Sequence, residues 1–226
     1  MNRNEKKIFE CKKRFEYDRT FRKENGIFCG IDEAGRGPWI GSVYAAAVVL
    51  DDDVYIEDLN DSKKLSESRR EELYEEITEK AVSWSVAYAG VEEIEELNIL
   101  GATFLAMNRA VKGLSLTPEY VLADGNREPK LDFDIKIRTL VKGDGISASV
   151  AAASILAKVA RDKYMKELDK RYPEFGFASN KGYGTARHEE ALIKYGFTPE
   201  HRKLFLRKLT KKIGEPLKEY KEITHK

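Results

Sequence analysis

The run Gly30–Pro38 (GIDEAGRGP) constrains the fold of this chain more than any other segment. Short apolar residues lead into two adjacent carboxylates, Asp32 and Glu33, and a Gly-Arg-Gly turn follows directly. This order predicts a strand that ends in a tight turn. Neighbouring side chains on a regular strand point to opposite faces, so the two carboxylates can share one cation only where the strand ends or twists.

Two interpretations of this acidic pair are open. Hard anionic oxygens beside a glycine turn suit a divalent cation and the close approach of a nucleic-acid backbone. The alternative is a strand that ends in a solvated Asp-Glu pair. The dipeptide alone favours the solvated pair, and the rest of the sequence reverses that preference.

Composition limits the class of protein. The chain has 226 residues, enough for one sizeable domain with a small appendage. No apolar run approaches the roughly 20 residues that cross a bilayer, and the charged segment Met1–Asn25 lacks the apolar stretch of a secretory signal. Cys11 and Cys29 are the only cysteines and show no metal-binding spacing, which fits reduced thiols in the cytoplasm.

Charge is distributed unevenly along the chain. Residues 51–100 carry 5 Lys or Arg against 16 Asp or Glu, whereas residues 151–226 carry 18 against 10. This asymmetry indicates that an anionic polymer contacts the C-terminal part, or else that the charges only solvate helices. Both interpretations stay open on charge alone.

Hydrophobic periodicity predicts five strands and six helices. The predicted strands are 28–33, 43–50, 83–89, 120–123 and 135–140. The predicted helices are 4–24, 67–81, 99–114, 147–170, 186–194 and 199–212, with an aromatic, Gly-rich loop at 176–184. This order predicts a mixed α/β sheet with helices on both faces.

Two further carboxylates, Asp124 and Asp144, follow predicted strands. Asp-Gly is also an ordinary turn signal. If these strand ends lie side by side, four carboxylates converge, and such a cluster repels itself unless cations fill it. All-oxygen ligation selects Mg²⁺ or Mn²⁺ over zinc. Two such ions about 4 Å apart would activate a water and stabilise the leaving oxygen in phosphodiester hydrolysis.

Ordered motifs then give a specific resemblance. They are GIDEAGRGP (30–38), AAAVVL (45–50), NDSKKLS (60–66), AMNRA (106–110), LADGN (122–126), KGD (142–144), AAASILAKVARD (151–162) and KGYGT (181–185). From about Cys29 to His201 the chain resembles bacterial ribonuclease HII. The resemblance implies a ribonuclease H-like fold, with a five-stranded mixed sheet whose first three strands are antiparallel, flanking helices and extra C-terminal helices. It also implies three segments: a helical extension (1–25), the catalytic domain (26–198) and a basic helical segment packed on that domain (199–226).

The resemblance also implies roles for individual residues. The metal-binding carboxylates fall on Asp32, Glu33, Asp124 and Asp144, which would hold two Mg²⁺ or Mn²⁺ ions when substrate is bound. The substrate-binding residues fall on Gly35, Arg36, Gly37, Lys63 and Tyr183. The Gly-Arg-Gly backbone would read the ribose 2′-hydroxyl, which distinguishes RNA from DNA, and a Cβ there would block that approach. The ring of Tyr183 would stack on the deoxyribose after the junction, and Lys63 would lie near the scissile bond.

The implied activity is metal-dependent hydrolysis of RNA in RNA/DNA hybrids, with incision 5′ of ribonucleotides embedded in DNA. The implied protein is a cytoplasmic monomer, without membrane contact, that meets the replication or repair machinery. Two departures from the family pattern stand out. Trp39-Ile40 replaces the usual Leu-Ala after Gly37-Pro38, where Trp39 would reshape the recognition loop or pack beneath it. The segment after His201 lacks the usual serine, so the resemblance assigns His201 no role.

Three alternatives stay open. One is a non-catalytic nucleic-acid-binding module on the same fold. A second is a small-molecule phosphotransferase that cradles phosphate with Gly-Arg-Gly, which is disfavoured because a full phosphate-binding loop is missing. A third is a hybrid-cleaving ribonuclease without junction preference. The following basic residues would hold the duplex or form a solvated helix face: Arg202, Lys203, Arg207, Lys208, Lys211 and Lys212.

Overall fold

A five-stranded sheet of order β3-β2-β1-β4-β5 forms the centre of the molecule in the computed structural model, which describes residues 2–221. The strands are β1 (Phe28–Ala34), β2 (Val43–Val49), β3 (Ser83–Ala89), β4 (Tyr120–Asp124) and β5 (Lys136–Leu140). Strands β1, β2 and β3 pair antiparallel, whereas β4 and β5 run parallel to β1. The predicted mixed sheet with three antiparallel strands first is confirmed.

Seven α-helices surround this sheet in the described part of the chain. They are α1 (Arg3–Asn25), α2 (Glu67–Lys80), α3 (Val91–Lys112), α4 (Ala148–Arg171), α5 (Phe177–Asn180), α6 (Ala186–Tyr195) and α7 (Lys203–Ile213). Helices α1, α2 and α4 bury apolar residues against one face of the sheet, and α3 covers the other face. Across residues 2–221, none of these helices combines the length and the hydrophobicity that a membrane span requires.

Helix α4 lies in backbone contact with β1. Its amino-terminal half is rich in alanine and serine, so few side-chain atoms separate its axis from the sheet. Opposite it, a Cβ on Gly30 would lie 2.3 Å from the carbonyl carbon of Ser149. Glycine is therefore required at this position of β1 because only a hydrogen fits between the strand and the helix.

Helix α1 packs on the same face as α4 and fixes its amino end. Its Phe15 and Phe21 side chains are buried, whereas Phe9 is 46% exposed. The carboxylate of Asp18 accepts hydrogen bonds from the Ser149 backbone N–H (2.7 Å) and from the Ser149 hydroxyl (2.8 Å). Helix α1 thus supplies the acceptor for an amide of the first turn of α4, a position that otherwise lacks an intrahelical partner.

The two cysteines of the chain are free thiols buried on opposite sides of the sheet. Cys11 belongs to the apolar cluster between α1 and α4, and Cys29 to the cluster beneath α3. Burial raises the pKa of both thiols, that of Cys29 to about 12. Both side chains therefore behave as small apolar core residues.

Three parts of the predicted secondary structure differ from the structure. Helix α3 begins at Val91 and is interrupted at Asn98 (φ 59°), whose side chain accepts from the Leu100 amide, so the helix predicted from residue 99 is its second part and the first part was missed. The predicted helix 199–212 begins only at Lys203, because the preceding residues form an antiparallel bridge between His201 and Ile40. The predicted loop 176–184 contains the short helix α5.

The predicted division into three segments is not tested by this architecture and stays a prediction. Residue 1 and residues 222–226 of those segments lie outside the described part of the chain. Within the described part, the last helix, α7, packs its buried Leu206 and Leu209 against Phe175 and Phe177.

Candidate active site

Asp32 and Asp124 lie side by side at the ends of neighbouring strands. Strands β1 and β4 are parallel, and Ile31 pairs with Ala123, so the next residue on each strand is the carboxylate. Asp32 is only 6% exposed. Burial, followed by the negative charges of Glu33 and Asp124, raises the pKa of Asp32 well above its ordinary value. The predicted convergence of these strand ends is therefore present.

Glu33 follows Asp32 on β1 and points to the opposite face of the strand. Its charge still interacts with the charges of Asp32 and Asp124. Its Oε1 accepts from the Arg36 guanidinium at 3.2 Å. Burial raises the pKa of Glu33, and the repulsion from Asp124 adds to this effect, while the attraction of Arg36 opposes it. Glu33 also borders a second cavity, on the α3 side, together with Asp124 and Met107.

Asp144 is connected to Asp124 through Gly143, the residue that precedes it in the chain. It lies in a short 3₁₀ turn, Gly143–Gly145, and the Gly143 amide donates to Asp124 Oδ1 at 2.6 Å. Burial and the charges of Asp61 and Asp124 raise the pKa of Asp144 to about 6. Asp61 was not among the predicted site residues; it caps the 3₁₀ turn Ser62–Lys64 through the Lys63 amide.

The donor chemistry of this group fits a hard divalent cation. Carboxylate oxygens are the ligands that Mg²⁺ and Mn²⁺ prefer, and a cation would relieve the mutual repulsion that, after burial, raises the pKa of Asp32 and of Asp144. Within residues 2–221, no three His, Cys, Asp or Glu side chains are already arranged to hold one metal ion. Several carboxylate oxygens instead accept from protein donors, as Asp124 does from Gly143.

A cavity of about 370 Å³ brings the acidic pair together with the residues predicted to read the substrate. The lining of this cavity also includes Ser62, Ser154, Lys158 and Arg161. The predicted site residues that line it are Asp32, Glu33, Gly35, Arg36, Gly37, Lys63 and Tyr183. The fold therefore assembles at one place the predicted residues of three distant motifs, whereas Asp124 and Asp144 are not part of the lining of this cavity.

In the Gly-Arg-Gly turn, the backbone geometry and a close neighbour require glycine at position 35, whereas Gly37 leaves room for a Cβ. Gly35 has φ +98°, a conformation that disfavours residues with a Cβ, and a Cβ there would lie 2.1 Å from Arg161 Nε. A Cβ on Gly37 would lie 3.4 Å from the ring of Tyr183. The ring of Tyr183 is 51% exposed and therefore presents a face to the solvent beside this turn.

Comparison with known proteins decides the family. The sequence profile of the family described as Ribonuclease HII matches residues 29–211 of this chain. The chain belongs to the ribonuclease HII family. The ribonuclease HII of Shewanella amazonensis is 53% identical over 188 residues, which cover 83% of this chain and 90% of the relative. That of Shewanella halifaxensis is 56% identical over 180 residues, covering 80% and 88%. Ribonuclease HII cleaves the RNA of RNA/DNA hybrids, and the chain is a hydrolytic nuclease.

Solved structures agree with this assignment. Ribonuclease H2 of Pyrococcus horikoshii has a TM-score of 0.70 at 29% identity and covers 84% of this chain and 100% of its own. A ribonuclease HII of Archaeoglobus fulgidus, solved in complex with PCNA, has a TM-score of 0.60 at 29% identity, covering 74% and 87%. The ribonuclease H-like fold predicted from the motifs is therefore confirmed.

Three residues beside the ribonuclease HII recognition loop make contacts that the sequence did not reveal. Arg202, predicted as part of a basic surface, is fully buried and donates to backbone carbonyls of residues 35–41, so its surface assignment is wrong. His201, to which the resemblance assigned no role, is buried against His188. The ring of Trp39 packs beneath the Tyr183 loop, where it fills the space beside Gly184. Neither histidine nor Arg202 stands in a local pattern that signals burial.

Proposed function

We propose that this ribonuclease HII cuts the RNA strand of RNA/DNA hybrids and incises 5′ of ribonucleotides embedded in duplex DNA, leaving 3′-hydroxyl and 5′-phosphate ends. One observation supports this proposal above the others. The cavity that contains Asp32 and Glu33 also contains the Gly-Arg-Gly turn and the exposed ring of Tyr183. A group that recognises ribose and a group that can bind catalytic cations are therefore adjacent.

In this proposal Asp32, Glu33, Asp124 and Asp144 hold two Mg²⁺ or Mn²⁺ ions when substrate is bound. The bound ions supply an activated water and stabilisation of the leaving 3′-oxygen. The chain supplies the position of the carboxylates: parallel pairing sets Asp32 beside Asp124, and the Gly143 amide holds Asp124 next to the turn of Asp144. Lys63 lines the cavity near the carboxylates, where it can contact a phosphate oxygen.

In this proposal, selectivity for the ribonucleotide rests on the turn 35–37 and on Tyr183. The backbone of Gly37 is exposed, so it can approach the 2′-hydroxyl together with the N–H of Gly35, and Arg36 can contact phosphate. The ring of Tyr183 stacks on the next sugar and is crowded by a 2′-hydroxyl there. The preferred cut is therefore at a ribonucleotide followed by a deoxyribonucleotide.

The setting of the enzyme follows from the same proposal. Its substrate arises during DNA replication and repair, and the Archaeoglobus fulgidus relative was solved with PCNA. We propose that this chain meets comparable replication machinery as a cytoplasmic monomer. Its two free, buried thiols are compatible with a reducing compartment.

One cleavage assay tests the proposal. A labelled DNA duplex with a single ribonucleotide is incubated with the protein in Mg²⁺, in Mn²⁺ or in EDTA, and the product ends are mapped. We expect metal-dependent incision on the 5′ side of the ribonucleotide and loss of incision in the Asp32→Asn variant. Binding without cleavage would instead identify a nucleic-acid-binding module. Cleavage of uniform hybrids alone would identify a ribonuclease without junction preference.

A further inference from the structure

We propose that His201 and Arg202 are positioning residues that hold the two substrate-reading elements at a fixed spacing. The first element is the turn Gly35–Pro38, and the second is Tyr183. The inference rests on the proposed function, because it concerns how that recognition surface is kept in shape. His201 and Arg202 are consecutive in the chain, and hydrogen bonds connect each of them to a different one of these two elements. We call this pair of residues the clamp.

Arg202 holds the first element through hydrogen bonds to backbone carbonyls. Its side chain is fully buried. Nη2 donates to Gly35 (2.7 Å), Nη1 donates to Arg36 (3.1 Å) and to Pro38 (2.9 Å), and Nε donates to Gly41 (2.8 Å). A planar guanidinium offers donors in a fixed fork, so the carbonyls that it binds cannot shift independently of one another.

His201 holds the second element through a chain of hydrogen bonds. Its Nδ1 faces the backbone N–H of Thr198 at 2.9 Å, so Nδ1 must accept and the imidazole proton must lie on Nε2. Nε2 of His201 then donates to Nε2 of His188 at 3.0 Å. The remaining proton of His188 lies on Nδ1, which donates to the Tyr183 carbonyl at 3.0 Å. Every contact in this chain therefore has one donor and one acceptor.

The chain of hydrogen bonds requires both histidines to be neutral. A second proton on either ring would set two N–H groups against each other at His201–His188, or would remove the acceptor that faces Thr198. Burial lowers the pKa of both rings, that of His201 to about 3. The arrangement is therefore fixed at neutral pH.

Backbone contacts connect the two halves of the clamp. The Trp39 amide donates to the Gly182 carbonyl (2.9 Å), and the Arg202 amide donates to the Trp39 carbonyl (2.8 Å). The recognition turn, the Tyr183 loop and residues 198–202 thus form one hydrogen-bonded unit. A sugar that contacts the turn and a second sugar that contacts Tyr183 meet surfaces whose separation this unit sets.

A matched pair of substitutions at His188 tests the chain of hydrogen bonds. The amide nitrogen of Asn lies the same number of bonds from Cα as Nδ1, so His188→Asn keeps the donor to Tyr183. The terminal amide of Gln corresponds to Nε2, so His188→Gln keeps the contact with His201 and loses the donor to Tyr183. The measurement is the ratio of kcat/KM for a single-ribonucleotide duplex to kcat/KM for a uniform hybrid, with thermal unfolding recorded for each variant.

We expect His188→Gln to lower this ratio about tenfold, because the variant loses the hydrogen bond to the Tyr183 carbonyl. His188→Asn keeps that hydrogen bond, so its ratio should stay within about threefold of wild type. Arg202→Lys should also lower the ratio, because one ammonium group cannot span the same four carbonyls. An unchanged ratio in His188→Gln, or equal losses in the Gln and Asn variants, would overturn the proposal.

A second measurement observes the histidine rings of the wild-type protein directly and does not depend on cleavage. The chain has three histidines, so its imidazole ¹⁵N spectrum is simple, and His188→Asn identifies one set of signals. We expect His188 as the Nδ1–H tautomer and His201 as the Nε2–H tautomer at neutral pH. Any other pair of tautomers contradicts the clamp. If the tautomers are as expected but no duplex is cleaved, the proposed function fails and the chain of hydrogen bonds stands.

Discussion

Arg14 of α1 donates from Nε to the backbone carbonyl of Asp144 at 3.1 Å, across 130 residues of sequence. Its Nη2 donates to Asn60 Oδ1 at 2.8 Å, in the loop that continues to Asp61 and Lys63. Arg14 is almost fully buried. The amino-terminal helix therefore joins two loops that carry predicted active-site residues, and it contributes to the site rather than covering a remote surface.

Replacing Arg14 by Ala is expected to weaken metal binding and catalysis more than binding of nucleic acid. The loss of a buried charged donor costs about 1.5–3 kcal/mol and frees the turn that carries Asp144. Calorimetric titration with Mn²⁺ and cleavage kinetics would measure the two effects. Arg19→Ala is the matched control, because Arg19 lies on the same helix and its polar contacts within residues 2–221 are with the Asp52 carbonyl and with Glu16. Equal behaviour of the two variants would contradict the role of Arg14.

Asp124→Asn is expected to retain hybrid binding and to lose most cleavage in Mg²⁺. The substitution removes a negative charge next to Asp32 but keeps an oxygen that can accept from the Gly143 amide. Since the lost interaction acts mainly in the transition state, kcat should fall by a factor of about 10² or more, with little change in affinity. Electrophoretic binding assays and single-turnover cleavage would separate the two effects. Turnover similar to wild type would remove Asp124 from the proposed set.

Tyr183→Ala is expected to reduce junction preference more than general nucleic-acid affinity. The exposed ring lies beside Gly37, where it can stack on a sugar, and loss of such a contact should lower the preference about tenfold. Tyr183→Phe keeps the ring and should keep the preference. Parallel kinetics on junction and uniform hybrid substrates provide the comparison. If Tyr183→Ala weakens both substrates equally, the ring is only a stacking platform.

Asp18→Asn is expected to change how stability depends on pH. Burial raises the pKa of Asp18 to about 6, so between pH 4 and pH 6 the folded protein binds this proton more strongly than the unfolded chain does. Wild-type stability relative to Asp18→Asn should therefore fall by up to about 3 kcal/mol as the pH rises from 4 to 7. Asn keeps an oxygen that can accept both Ser149 bonds. Urea unfolding of both proteins at several pH values measures the difference, and parallel curves would refute it.

Gly30→Ala is expected to destabilise the fold by about 1–3 kcal/mol, because the added methyl group meets backbone atoms that cannot rotate away. Those atoms are the carbonyl carbon of Ser149 and the amide nitrogen of Val150, both at 2.3 Å from the new Cβ. Gly90→Ala is the control, since no heavy atom lies within 4 Å of a Cβ there. Its cost should stay below about 1 kcal/mol. Chemical denaturation compares the two, and similar midpoints would show that α4 can move away from β1.

The sequence predicted the sheet and the acidic group because both follow from local patterns. Each of the strands β1, β4 and β5 is a short apolar or alternating run, and a carboxylate lies near the end of each strand or follows it. The start of α3 was missed because the stretch after Val91 is rich in glutamate and gives little apolar periodicity. Asn98 then interrupts the helix.

The clamp was missed for a different physical reason. Arg202 resembles the exposed lysines that follow it, and only tertiary contacts with carbonyls more than 160 residues earlier reveal that it is buried. His188 and His201 are 13 residues apart with no shared motif. Ser154 and Lys158 of α4 line the cavity, which no local pattern reveals, because the face of a helix that meets a cavity depends on how the helix packs.

The placement of the two thiols offers a way to observe this molecule opening. Cys11 of α1 lies in the apolar cluster on the α4 side of the sheet, where its thiol contacts the Ile56 carbonyl, and Cys29 lies beneath α3 on the other side. A thiol reagent reaches each sulfur only when the surrounding elements separate, so the two modification rates report two distinct opening events. Detachment of the amino-terminal helix would expose the first sulfur alone, whereas labelling of the second would require the central sheet itself to come apart.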